Sequence, residues 1–187
     1  MLNSYLIGQK AVCFQYLKEY QKSLDIYDRI LSCIDKKDYE KYIITLINAT
    51  EIYIELKEYD KSKQYLNIIL NNMININEEN KYLAGLYFEL GKIFKCFKYF
   101  NKSEKCLLTS LSLAKKQAQY FFSELIYIYT FTNNLQKITN IKNEVSILIS
   151  KQEKTDNKLI YKLIDLYLKI GNIESTRELI SFGEKFI

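Results

Sequence analysis

Bulky apolar residues return every three or four positions through stretches several turns long, and short polar segments interrupt them. That period predicts helices, and the interruptions predict that they come in pairs. First members are expected near 2–17, 41–56, 81–97, 118–132 and 157–170; second members near 21–34, 60–75, 101–116, 135–151 and 173–187. Asp35 to Asp38, Asn75 to Asn80 and Lys154 to Asn157 supply polar connectors. The pairs group into repeats near 2–38, 41–77, 81–116, 118–151 and 157–187 with no linker, so one domain spanning 1–187 is expected.

The pairs share a phrase. Phe14 precedes Lys18-Glu19-Tyr20, with Ser23 and Tyr27 beyond; Tyr53 precedes Lys57-Glu58-Tyr59, with Ser62 and Leu66 beyond. The third copy is fullest, with Tyr87, Leu90, Gly91 and Phe94 ahead of Phe100, Ser103 and Leu107. Measured at Tyr20, Tyr59, Phe100, Leu135 and Ile173, the steps are 39, 41, 35 and 38 residues, in the range of helical-pair repeats. Antiparallel helices approach closely only where a small side chain sits at the crossing and large ones fill the groove a turn away. Ala11, Thr50 and Gly91 are the small residues of the first helices; Ser23, Ser62, Ser103 and Thr176 are those of the second. Phe14, Tyr53, Phe94, Tyr129 and Tyr167 supply the ring that wedges between them. In the fourth copy Ile126 and Ile138 occupy both small sites, and a splayed pair is expected there.

This pattern resembles the tetratricopeptide repeat over nearly the whole chain, with Tyr87 at the tryptophan position of the third copy. The resemblance implies an all-α, right-handed solenoid of five helical hairpins, its concave groove lined by first helices. It further implies binding of a peptide or protein segment rather than catalysis. The chaperone adaptors of this family that clamp a C-terminal carboxylate use Lys and Asn where this chain has Gly8 and Val12. The longer, degenerate repeats look instead like the sensor domain of the peptide-pheromone-responsive transcription regulators of Gram-positive bacteria. In that group, first-helix asparagines bind peptide backbone, and Asn48 is the match. The helix-turn-helix those regulators carry ahead of the repeats is not in this sequence. A passive scaffold for complex assembly is the alternative.

Composition narrows the chemistry. The 187 residues include no proline and five glycines, too little punctuation for a many-stranded sandwich. The absence of histidine removes the commonest general base and zinc ligand, and no phosphate-binding glycine loop occurs. No catalytic residue, cofactor or metal site is expected. The net charge is +5, but the lysines are dispersed among acids and arginine occurs only at 29 and 177. That spread reflects an A/T-rich coding sequence better than a nucleic-acid surface, which favours clustered arginine. Cys13, Cys33, Cys96 and Cys106 are far apart and are expected to be reduced, half-buried thiols of a cytoplasmic protein. No segment has the length and apolarity of a membrane span.

The groove-facing positions follow from the repeat register. They are Tyr5, Gly8, Val12 and Gln15; Ile44, Ile47, Asn48, Glu51 and Glu55; Phe88, Lys92 and Lys95; Tyr120, Ser123, Tyr127 and Thr130; and Lys158, Tyr161, Asp165 and Leu168. Asn48, Glu51, Glu55, Phe88, Lys92, Tyr127, Tyr161 and Asp165 are the expected peptide contacts, since aromatic anchors mixed with isolated charges suit an extended peptide. Most of the 17 tyrosines are expected in the repeat core. The last helix carries Leu179, Phe182 and Phe186 with no capping helix after it; a homodimer through this strip is expected.

Overall fold

The computed structural model describes residues 2–35, 37–77, 82–114 and 118–150, and beyond them residues 161, 164, 165, 168, 174, 176, 177, 180 and 181. Among the described residues every regular element is helical: α1 (Leu2–Tyr16), α2 (Tyr20–Cys33), α3 (Tyr39–Glu55), α4 (Tyr59–Met73), α5 (Leu83–Cys96), α6 (Phe100–Ala114), α7 (Ala118–Phe131) and α8 (Leu135–Ser150). These differ from the expected ranges by two residues or fewer at each end, as fraying termini do. The expected fifth pair lies largely outside the described residues. The chain forms two compact units, Met1–Phe97 and Lys98–Ile187.

In the first unit α1 packs on α2, α3 on both α2 and α4, and α5 on α3. The crossings are built as the small residues require. Ala11, Ser23, Thr50 and Ser62 are fully buried, and Ser23 Oγ donates to the Ala11 carbonyl at 2.7 Å. A hydroxyl at that crossing thus bonds the backbone of the facing helix. Around it Leu24, Tyr27, Ala49, Ile52 and Tyr53 form a core. Asp38 starts α3 by accepting from the Lys41 backbone N–H at 3.4 Å and pairing with the Lys41 ammonium at 2.5 Å. Ile47 corrects the register reading: it is buried in the core, because a β-branched apolar side chain gains more from packing than from a wet groove.

In the second unit α7 packs on α6 and α8. Leu107, Phe122, Leu125, Ile128 and Ile138 are buried. Ser103 and Thr176 are buried at their expected small sites, and so is Ile126.

The turns between paired helices repeat one conformation. Lys18, Lys57, Lys98 and Asn133 all have φ between 53° and 61°. Glu19 N–H donates to Phe14 O, Glu58 N–H to Tyr53 O and Asn134 N–H to Tyr129 O, while Lys18, Lys57 and Asn133 donate to Gln15, Ile54 and Thr130. These paired bonds are the Schellman ending of a helix, whose residue after the cap must be left-handed. Glycine takes that conformation freely and asparagine tolerates it; lysine is strained there.

The wedge rings are capped in register too. Lys22 lies 5.4 Å from the Phe14 ring centroid, Lys61 5.2 Å from that of Tyr53 and Lys137 5.3 Å from that of Tyr129, in each case eight residues further along. The left-handed turn brings the start of the second helix back over the end of the first, so the cation meets the ring face.

Two readings of single residue types change. Cys13, Cys33 and Cys96 are exposed and only Cys106 is half-buried, since they lie off the crossing stripe. Among the described tyrosines only Tyr27, Tyr53 and Tyr129 are buried, whereas Tyr16, Tyr59, Tyr82, Tyr99, Tyr127 and Tyr161 are exposed. A phenol that cannot reach a buried partner is better left in water.

Candidate functional site

Asn48, Glu51 and Glu55 fall three and four residues apart on α3, so they share one stripe. Phe88, Lys92 and Lys95 do the same on α5, which packs against α3. The two stripes meet at Lys92. Its ammonium donates to Glu51 Oε1 at 3.1 Å and to Glu89 Oε2, and it sits 5.7 Å from the centroid of the Phe88 ring. Glu55 is exposed at the far end of its stripe. Glu89 is a functional candidate that the register missed.

Burial governs the electrostatics of this cluster. It pushes the Glu89 carboxyl above its ordinary range, and the charge of Glu51 adds to that, outweighing the pull of Lys92. Burial also works against the Lys92 ammonium, but its hydrogen bond to Glu89 and the charges of Glu51 and Glu89 prevail and raise it. With both carboxylates ionised the three groups carry one net negative charge. Lys92 is therefore already neutralised by its two carboxylate partners.

Tyr27 of α2 belongs beside this cluster. Its hydroxyl is buried and donates to no acceptor among the described residues. Burial pushes the phenol up to about 12, while hydrogen bonding at its oxygen by Asn48, then by Ser23, favours the ionised form and the charge of Glu51 disfavours it.

The second unit holds the other expected contacts. Tyr127 of α7 is 52% exposed and stacks on Phe131, with ring centroids 6.4 Å apart and planes 20° apart. Phe131 in turn lies 4.8 Å from Phe100. Tyr161 and Asp165 are exposed. In the same unit, Glu104 of α6 accepts from the Tyr129 hydroxyl at 2.7 Å and from Lys137 Nζ at 2.6 Å, which joins α6, α7 and α8. Burial, then the hydrogen bond and charge of Glu104, drive the Tyr129 phenol upward. Leu179, Phe182 and Phe186 lie outside the described residues.

Among the described residues, no group of three or more His, Cys, Asp or Glu side chains is placed to hold a metal ion, and no helix is long and apolar enough to cross a membrane.

No protein-family model matches the sequence, and no curated protein matches it. Solved structures do match the fold. A Podosopora anserina protein with nearly identical TPR-like repeats of kinesin light chain type superposes with a TM-score of 0.80 at 11% identity, covering 95% of this chain and 92% of its own. BtubC (BKLC) from P. vanneervenii gives 0.76 at 14% identity over 96% and 77%. YrrB, a TPR protein with an unusual peptide-binding site, gives 0.60 at 14% identity over 94% and 82%. The fold is therefore the all-α class of TPR-like helical hairpins, similar to these solenoid proteins.

Proposed function

We propose that this chain is a non-catalytic binding module that takes a peptide or protein segment along its first helices. The observation that carries this reading is the polar stripe of α3 and α5. Asn48, Glu51, Glu89 and Lys92 are polar groups held half-exposed on first-helix faces, ordered by their own pairing and open to exchange it for contacts with a ligand. Exposed Tyr127 and Tyr161 supply aromatic anchors of the kind that dominate interfaces. The fold shared with YrrB, itself a peptide binder, supports the same reading.

In its specific form the module is a five-repeat domain that senses a short peptide for a bacterial transcription regulator in the cytoplasm, without touching nucleic acid itself, and that pairs through Leu179, Phe182 and Phe186. Sensing requires two states with different affinity for the ligand. A passive scaffold is the second reading, favoured by the locked turns and the Ser23 to Ala11 bond, which stiffen the hairpins. Small-angle scattering and sedimentation with and without peptide separate the two: a sensor changes shape or oligomeric state, a scaffold changes neither.

The groove is tested by Asn48→Ala and Tyr127→Ala, each expected to weaken a bound peptide by about 1–3 kcal/mol with helical content intact. A peptide that cross-links only to second-helix residues places binding on the opposite face and ends this reading.

A further inference from the structure

Repetition shows what each helix face packs against. Take the residues that open the second helices, Tyr20, Tyr59, Phe100 and Leu135, as reference points. Ten and seven residues before the last three of these lie Ala49 and Ile52, Leu90 and Ile93, and Leu125 and Ile128, all buried. In the first unit their cover is visible: α2 packs on α3, and its Leu24 and Tyr27 share one core with Ala49 and Ile52. The same two positions in the first repeat are Lys10 and Cys13, and both are exposed. Leu6, one turn further back, is 59% exposed. The face of α1 that corresponds to a buried contact thus stands open among the described residues. The opposite face is open in the fifth repeat. Seven residues beyond the first three reference points lie Tyr27, Leu66 and Leu107, each exposed by 4% or less. Seven beyond Ile173 lies Ile180, which is helical and 44% exposed.

We propose that these two faces cover each other between copies of this chain: the fifth repeat of one copy packs on α1 of another. Ile180 then stands to Cys13 as Tyr27 stands to Ile52. The inference rests on the self-pairing proposed above and gives it a second surface, so that unlike faces join rather than one strip meeting itself. Lys10 is the one charged residue of α1, while residues 173–187 hold Glu174, Glu178 and Glu184 against Arg177 and Lys185, so the two faces carry opposite net charge. Arg177 takes the position of Leu24, and Glu174, three residues before it on the same helix face, offers Lys10 a carboxylate. The apolar stem of Lys10 lies along the contact with its ammonium at the margin. Because the joined faces differ, every pair keeps one free face of each kind, and association runs past two copies unless a ring closes.

Sedimentation velocity of the full chain over a concentration series reads the association. The parent should form species larger than a dimer as concentration rises. Cys13→Asp and Ile180→Asp, both at exposed positions, should keep the parent's melting temperature and each weaken association at least about tenfold by placing a charge in the contact. Mixed in equal amounts, the two variants should form a dimer and stop there, because each retains the face that the other has lost. Lys10→Leu, which restores the residue type of Leu90 and Leu125, should tighten association about fivefold. A mixture that stays monomeric overturns the inference. So does a Cys13→Asp variant that associates as the parent does; if Phe182→Glu then abolishes the dimer, the symmetric pairing through the last strip survives alone. Association kept by Ile180→Asp and lost by Cys13→Asp pairs α1 with its own copy and overturns the inference too. A parent that is monomeric at every concentration ends both readings of self-pairing.

Discussion

The two units each gather a lysine, a glutamate and a tyrosine from packed helices, and they pair them differently. In the second, Glu104 accepts from both Tyr129 and Lys137, so a single carboxylate closes a neutral set that ties three helices. In the first, Lys92 is divided between Glu51 and Glu89 while the Tyr27 hydroxyl donates to no acceptor. The same residue types thus make a staple around one carboxylate in one place and a pair of carboxylates around one ammonium in the other. What separates them is whether donors, acceptors and charges balance.

The largest effect is expected where both units depend on small crossings. Ser23→Leu should cost about 3 kcal/mol by overpacking a fully buried position and losing the bond to Ala11; a denaturation midpoint within error of the parent would reject the crossing. Next comes the staple itself. Glu104→Ala should cost about 2 kcal/mol because the Tyr129 donor is stranded in the interior, whereas Tyr27→Phe in the other unit, whose hydroxyl donates to no acceptor, should cost under about 1 kcal/mol. Equal losses in the two variants would erase the distinction between the two clusters.

Alkaline pH sharpens the comparison. Tyr27 has a folded value near 12 against 10.0 unfolded. The fold therefore favours its neutral form, and that stabilisation is complete below pH 10 and lost as pH rises toward 12. Urea midpoints at pH 8 and pH 11 should fall less in Tyr27→Phe than in the parent. A smaller effect separates the turns. Lys57→Gly should stabilise by about 1 kcal/mol, because the native φ of 61° strains lysine. Asn133→Gly should gain only a few tenths by the same melt, since asparagine tolerates φ of 53°. The smallest is chemical: burial holds the Cys106 thiol up to about 11, so at pH 8 a thiol reagent should modify exposed Cys13, Cys33 and Cys96 first.

The helices, their pairing and the small crossing residues were legible because each leaves a local mark: a period, a polar break, a serine at a fixed offset. Asn48, Glu51, Phe88 and Lys92 were legible as one face through the repeat register. Their interactions were not. Glu89 lies one position outside the register and enters only because a lysine three residues on turns back to it. Tyr27 reads in sequence as the bulky core residue of its repeat, and nothing in that position tells whether its hydroxyl finds a partner. Glu104 sits 25 residues from Tyr129 and 33 from Lys137, a meeting that only three packed helices create. The left-handed turns escaped because glycine, the usual signal, is absent from all four. Ile47 obeyed its period and still went inward, since helix faces are wide and packing chooses among neighbouring positions.

Those four turns also make the hairpins individually observable. Lys18, Lys57 and Lys98 are exposed, and each is a point after which trypsin can cut. A protease, however, needs its substrate extended across the active site, and at Lys18 and Lys57 a turn fixed by two backbone bonds does not offer that shape. Cleavage there must wait until the adjoining helix ends come undone. At low enzyme concentration the rate at each of these two lysines then reports the opening equilibrium of its own hairpin. Peptide mass mapping of a timed digest would rank their opening free energies within a single molecule, with no label attached.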